Sequence, residues 1–146
     1  MIDNLLDIIL VEDNPADLEF ALESLRESNL ANRVKVLKDG EAAIDYIFRQ
    51  GNYSDSGIGD RPALILLDIN LPKIGGLEIL RKIRANERTK TIPVVILTSS
   101  GEDVDKIEGY NLGVNSYITK PIEFGKFAAA VSQIGLYWAV LNEPPQ

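Results

Sequence analysis

The stretch LILLDINLPKIGG, residues 64–76, decides the fold of this chain. Four apolar residues run directly into the carboxylate of Asp68, and an asparagine, a proline and two glycines follow within eight residues. A short, continuously apolar run is typical of a parallel strand that is covered on both faces. The acid at the end of this run is therefore expected at one edge of a sheet, where a ligand can reach it.

Similar apolar runs alternate with helical periodicity along the chain. The predicted strands are 7–11, 33–37, 63–67, 93–97 and 115–119, and the predicted helices are 15–28, 40–50, 76–86, 103–112 and 122–141. This alternation predicts an α/β fold with a doubly wound, five-stranded parallel sheet. The Gly- and Ser-rich segment 51–62 is interpreted as a solvent-exposed linker rather than a partner contact, with Tyr53 and Ile58 as its only potential anchors.

The composition excludes several classes of function. The chain contains neither cysteine nor histidine, so disulfides, thiolate or imidazole metal sites and histidine-based catalysis are ruled out. A net charge of -7 disfavours binding to nucleic acid. The apolar runs are too short to span a membrane, and the acidic amino terminus does not resemble a signal peptide. A cytoplasmic location is therefore the expectation.

Polar side chains stand where four of the predicted strands end: Glu12, Asp13, Asp68, Thr98 and Lys120. Because the carboxyl ends of parallel strands share one edge, these groups are expected to meet. Clustered carboxylates suit Mg²⁺, and an ammonium and a hydroxyl beside them suit the oxygens of a phosphoryl group. Asp68 would then be a nucleophile toward phosphorus. Each residue alone is commonplace as a helix cap or a solvated side chain, so the prediction depends on their joint occurrence.

The motifs ILVEDN, LILLDINLPKIGGLEIL, PVVILTS and YITKP resemble those of the receiver domain of two-component response regulators, over residues 6–134. The resemblance implies a flavodoxin-like sheet with strand order 2-1-3-4-5. It also implies a signalling domain that takes a phosphoryl group from the phosphohistidine of a partner kinase, with Mg²⁺ as cofactor. Such a domain is not an enzyme for a separate substrate, since it catalyses only its own phosphoryl transfer and dephosphorylation.

The resemblance also implies a role for individual residues. Asp68 is the phosphoacceptor, Asp13 ligates the metal directly, and Glu12 does so largely through water. Asn70 offers its backbone carbonyl to the metal, and the peptide bond between Lys120 and the following proline is usually cis in the family. By the same resemblance, the mobile hydroxyl is that of Thr98, the phosphate-binding lysine is Lys120 and the aromatic switch is Tyr117. The two positions that tune the lifetime of the phosphoryl group are Asn70 and Ser100.

A narrower resemblance, to the small regulators paired with cyanobacterial-type phytochrome histidine kinases, lies in segment 51–62, the stretch NLPKIGG and the aromatic tail. We expect one domain over 1–146, with a core at 6–134 and a helical extension at 135–146. The last predicted helix has apolar stripes on two sides, which favours a homodimer over a helix that folds back onto its own domain. The residues expected at the dimer interface are Tyr137, Trp138 and Leu141.

Three rival functions are weighed against the receiver interpretation. A phosphatase of the haloacid-dehalogenase type requires Asp-x-Asp after its first strand, whereas this chain has Asp-Ile-Asn at 68–70 after its third. A nucleotide or flavin binder on the same fold would need a glycine-rich phosphate loop, which is missing. A receiver-like scaffold that never takes a phosphoryl group stays open, although all the expected side chains are present.

Overall fold

The computed structural model describes residues 7–27, 34–58, 63–99, 116–120, 125–126 and 129. Within them, five parallel strands form one sheet in the order β2-β1-β3-β4-β5. The strands are β1 (Asp7–Val11), β2 (Val34–Leu37), β3 (Ala63–Asp68), β4 (Val94–Thr98) and β5 (Ser116–Thr119). The predicted doubly wound sheet and its strand order are confirmed.

Three helices of eight or more residues lie within the described residues. Their bounds are Pro15–Glu27 (α1), Gly40–Ile47 (α2) and Gly76–Ala85 (α3). All three begin at the predicted residue, and α2 ends three residues earlier than predicted. The predicted helix 103–112 lies outside the described residues, as does most of 122–141, of which 125, 126 and 129 are helical. No described helix is both long enough and apolar enough to cross a membrane.

Alternate strand residues face opposite sides of the sheet, so the sheet buries two separate apolar layers. One layer, which includes Ile8, Leu66 and Ile118, packs against α1. The other layer packs against α2 and α3. When the same alternation is carried to the strand ends, it assigns three polar residues to the α1 side of the sheet: Glu12, Asp68 and Lys120.

The segment after α2 is packed rather than loose. Gly51–Tyr53 forms a 3-10 turn, and the side chain of Ile58 is buried in the layer beneath α2. The Ile58 amide donates to the Tyr46 carbonyl at 3.0 Å, and the Ile58 carbonyl accepts from Arg49 Nη1 at 3.4 Å. Most residues of 51–58 are exposed, as predicted, but a short helical turn and the buried side chain of Ile58 tie this segment to α2.

Lys35 on edge strand β2, Tyr46 in α2 and Tyr53 in the 3-10 turn form a small group that also holds this segment. The rings of Tyr46 and Tyr53 pack edge to face, with their centres 5.1 Å apart. Lys35 Nζ lies 4.9 Å from the ring centre of Tyr53 and 5.6 Å from that of Tyr46. Both distances are within the range of cation–π attraction. We refer to Lys35, Tyr46 and Tyr53 as the aromatic clamp.

Candidate functional site

The carboxyl end of the sheet brings together the three acids that were predicted to converge. Glu12 follows β1 and Asp68 ends β3, and their side chains are only 1% and 2% exposed. Asp13 is exposed beside them. One carboxylate oxygen of each residue lies within 4.8 Å of the other two. Two buried carboxylates and one exposed carboxylate therefore face a common point.

Lys120, the residue after β5, lies among carboxylates. Its Nζ is 2.9 Å from Glu12 Oε1, 3.0 Å from Asp68 Oδ2 and 3.0 Å from Asp17 Oδ2. The lysine side chain is 12% exposed. Its backbone amide donates to the Thr98 carbonyl at 2.8 Å, which fixes the point where the side chain leaves the sheet. Three carboxylates, one that follows β1, one in the first turn of α1 and one at the end of β3, thus share the ammonium of Lys120.

Burial and charge set the protonation of this cluster. Burial raises the pKa of Glu12 to about 7, and the contact with Asp68 adds to the rise. Burial acts to lower the pKa of Lys120, but the contacts with Glu12, Asp68 and Asp17 outweigh it and raise this pKa well above its usual range. Lys120 is therefore a permanent cation. Glu12 holds a proton part of the time near neutral pH, and a divalent cation beside it would favour its ionised form.

The donor set fits a hard divalent cation. The buried Oε1 of Glu12 accepts no hydrogen bond from the described residues, and its 2.9 Å approach to Lys120 Nζ is an ion pair without hydrogen-bonding angles. An oxygen of this kind is suited to a metal ion, and all the nearby ligand atoms are carboxylate oxygens, as Mg²⁺ prefers. Glu12, Asp13 and Asp68 are the described residues that would hold the ion.

The loop after β3 is held tightly against the site. The Asn70 amide donates to Asp68 Oδ1 at 2.9 Å, and the Gly76 amide donates to the Ile69 carbonyl at 3.1 Å. A Cβ atom on Gly76 would lie 2.4 Å from the carbonyl oxygen of Asp68, whereas one on Gly75 would have 4.0 Å of space. The second glycine therefore lets the start of α3 lie directly against the end of β3, next to the acid.

The start of α1 is part of the same cluster. The Asn14 amide donates to Glu12 Oε2 at 3.1 Å, and the Asp17 amide donates to Asn14 Oδ1 at 3.0 Å. Pro15 occupies the first helical position, where its missing N–H costs nothing. These contacts place Asp17 in the first turn of α1, with its carboxylate against Lys120.

Asp17 is the residue of the site that sequence reasoning missed. The available signal was its spacing, because Asp17 follows Asp13 by four residues across the start of a predicted helix. That spacing keeps both acids near one end of α1. The contact with Lys120, however, depends on how α1 lies on the sheet.

The remaining predicted residues stand in varied places. Thr98 ends β4, is 1% exposed and pairs in register with Thr119. Tyr117 is half-buried, pairs in register with Ile96 and packs on the α2–α3 layer. By strand alternation, Thr98 and Tyr117 lie on the same face of neighbouring strands. The predicted residues that lie outside the described part of the chain are Ser100, Pro121, Tyr137, Trp138 and Leu141.

Comparison with known proteins identifies the family. Residues 8–132 match the response regulator receiver domain. The structure is similar to that of the bacteriophytochrome response regulator RtBRR, with 48% identity, coverage of 97% of this chain and 84% of that chain, and a TM-score of 0.85. The response regulator Rcp1 of Synechocystis sp. is 42% identical over 131 residues, which are 90% of this chain and 87% of Rcp1.

Two further crystal structures are similar over nearly the whole chain. The Mn²⁺-bound form of Rcp1 is 39% identical, covers 95% of this chain and 98% of that chain, and has a TM-score of 0.72. The phosphorylated cyanobacterial phytochrome response regulator RcpA is 38% identical, covers 92% of this chain and 94% of that chain, and also has a TM-score of 0.72. The chain therefore belongs to the receiver domains of two-component response regulators.

Proposed function

We propose that this protein accepts a phosphoryl group on Asp68 from the phosphohistidine of a partner kinase, with a divalent cation bound. The observation that carries the proposal is the position of the Asp68 carboxylate, 3.0 Å from Lys120 Nζ and beside the carboxylates of Glu12 and Asp13. A nucleophile, a fixed cation and a set of metal ligands are the parts that phosphoryl transfer requires. These 146 residues contain no histidine, so the donor imidazole lies outside them.

In the proposed step, an oxygen of Asp68 forms a bond to phosphorus while the bond from phosphorus to the donor nitrogen breaks. The imidazole keeps the electron pair, and the product is an acyl phosphate. The ammonium of Lys120 offsets charge on the phosphoryl oxygens, and the Thr98 hydroxyl donates to one of them. A bound divalent cation supplies further charge stabilisation, and we assign its ligands to Glu12, Asp13, Asp68 and the backbone carbonyl of Asn70.

The signal would be read as a change of protein contact. The phosphoryl group carries roughly -1.5 to -2 charge at neutral pH and replaces the single negative charge of the Asp68 carboxylate. Movement of Thr98 toward that charge would open space on the sheet face that Tyr117 shares, so the aromatic ring can follow. The partners we propose are a histidine kinase of the phytochrome type, as the names of RtBRR and RcpA suggest, and a second copy of this chain. The self-association surface assigned from sequence comprises Tyr137, Trp138 and Leu141.

Phosphorylation by radiolabelled acetyl phosphate tests the proposal without the kinase. We expect wild-type protein to incorporate label in the presence of Mg²⁺ and to lose this ability in EDTA. Asp68→Asn should abolish incorporation, because the nucleophile is gone. Asp55→Asn, which removes the same charge from an exposed acid of segment 51–58, should label like wild type. Equal labelling of the Asp68→Asn variant would refute the assignment, and an unlabelled wild-type protein would favour the scaffold function instead.

A further inference from the structure

Three carboxylates surround the ammonium of Lys120. It donates hydrogen bonds to Asp17 Oδ2 and Asp68 Oδ2, both at 3.0 Å, and its 2.9 Å contact with Glu12 Oε1 is an ion pair. When a phosphoryl group arrives at Asp68, Lys120 exchanges its hydrogen bond to Asp68 for one to a phosphoryl oxygen. The identity of the contact that persists therefore determines where Lys120 is held during the transfer.

The three carboxylates differ in what else they are needed for. Asp68 receives the phosphoryl group, and Glu12 is a proposed metal ligand, so both change partners in the transfer. Asp17 has neither task. It is also the outermost of the three, with 28% of its side chain exposed, compared with 1% for Glu12 and 2% for Asp68. Its carboxylate is therefore the acceptor that Lys120 is able to keep throughout.

An acid in the first turn of a helix also has a purely structural explanation, because it stabilises the positive end of the helix dipole. The chain provides a matched case in Glu78. Glu78 stands at the third position of α3, as Asp17 does in α1, yet it is exposed and forms no ion pair with the described residues. The contact with Lys120 is thus specific to α1 and is not a general consequence of an acidic first turn.

We propose that Asp17 is a positioning residue for the transfer, acting through Lys120. It holds the ammonium on the outer side of the site while Lys120 exchanges its contact with Asp68 for one with the phosphoryl group. The inference rests on the proposed function of Asp68. The role requires a carboxylate at this position, so a shortened or neutral side chain will not replace it.

The labelling rate with acetyl phosphate at saturating Mg²⁺ tests this role in the full chain. Asp17→Asn should slow the reaction about three- to tenfold, because one charge-assisted contact at a partly exposed site is lost. Asp17→Glu should restore most of the rate, and Glu78→Gln should leave it unchanged. Mg²⁺ affinity should stay unchanged in Asp17→Asn, since Asp17 is not among the three clustered metal ligands. A wild-type rate in Asp17→Asn, or an equal loss in Glu78→Gln, would overturn the proposal.

A second readout separates this inference from the proposed function. Reductive methylation measures how freely each lysine ammonium reacts, with no phosphoryl group involved. Lys120 should be methylated about threefold faster or more in Asp17→Asn than in wild type, whereas Lys90, paired with exposed Glu87, should react at the same rate in both. If wild-type protein fails to label but Lys120 gains reactivity, only the function of Asp68 is refuted. If Lys120 reacts at its wild-type rate in Asp17→Asn, Asp17 does not hold it.

Discussion

Two lysines of this fold have opposite surroundings. Lys120 has three carboxylates within 3.0 Å, at the carboxyl end of the sheet. Lys35, on edge strand β2, lies over the rings of Tyr53 and Tyr46 in the aromatic clamp, at 4.9 and 5.6 Å. The two side chains are chemically identical, so the contrast is due entirely to what the fold places around them.

The comparison separates a responsive site from a structural one. Charges around Lys120 interact at close range in a buried place, so the arrival of a metal ion or a phosphoryl group changes the balance of every contact. Contacts of the aromatic clamp are cation–π and apolar, and each is worth about 0.5–1 kcal/mol whatever ion is present. We therefore expect changes near Lys120 to alter chemistry and changes near Lys35 to alter only local stability.

The largest effect is expected when the two lysines are replaced in turn. Lys120→Met should slow acetyl phosphate labelling about 100-fold or more, because the fixed cation that offsets phosphoryl charge is lost. Lys35→Met makes the same substitution in the aromatic clamp and should label at the wild-type rate. Circular dichroism on both variants checks that the fold is retained. Similar labelling rates for the two variants would remove the distinction drawn here.

The buried side chain of Ile58, next to the aromatic clamp, provides the next test. Ile58→Ala should lower the free energy of unfolding by about 2–4 kcal/mol, since a buried side chain leaves a cavity behind. Ser56→Ala, two residues earlier and exposed, is the control and should be nearly neutral. Urea denaturation measures both variants. An Ile58→Ala variant with the wild-type free energy of unfolding would show that burial of Ile58 does not stabilise the fold. An Ile58→Ala variant that labels slowly with acetyl phosphate would show that this segment contributes to phosphoryl transfer.

Gly75 and Gly76, at the start of α3, provide a sharper comparison next to the acidic site. Gly76→Ala should destabilise the fold by about 1–3 kcal/mol, because its Cβ would meet the Asp68 carbonyl oxygen at 2.4 Å and displace the end of β3. The labelling rate should fall with it. Gly75→Ala, with 4.0 Å of space, should keep the wild-type rate. If both alanine variants label equally well, the close approach of α3 is not needed to position Asp68.

The smallest effect is a dependence of stability on pH. Because burial raises the pKa of Glu12 from 4.5 to about 7, the folded state binds an extra proton between these values. The stabilisation of the folded state by this extra proton is complete below pH 4.5 and is lost as the pH rises through 7. Between about pH 5 and pH 8, metal-free wild type should lose about 1–2 kcal/mol more unfolding free energy than Glu12→Gln. Urea denaturation at both pH values measures this difference, and parallel losses would contradict it.

Much of the fold was predictable because the three central strands, β1, β3 and β4, are short apolar runs buried on both faces. Strand β1 coincides with its prediction at Asp7–Val11, and the other strands are displaced by one residue or less at their ends. Pro93 was predicted to open β4 but precedes it, and its carbonyl accepts from the Ile65 amide at 3.0 Å. The meeting of Glu12, Asp68 and Lys120 followed from one rule, that parallel strands share a carboxyl edge.

Features that depend on packing between elements were not predictable. Asp17 reaches Lys120 because of the position of α1 on the sheet, which local sequence does not encode. Segment 51–58 has the composition of a linker, yet the clamp and the burial of Ile58 fold it against α2. The assignments made from resemblance alone, including the switch role of Tyr117 and the dimer residues, stay predictions.

Borohydride trapping tests the central claim most directly. An acyl phosphate on an aspartate is reduced by borohydride to homoserine, so the modified residue can be located by peptide sequencing. After incubation with acetyl phosphate and Mg²⁺, we predict homoserine at position 68 and none when EDTA replaces Mg²⁺. Homoserine at position 13 or 17 instead, or unmodified Asp68 in protein that carries the label, would contradict the account.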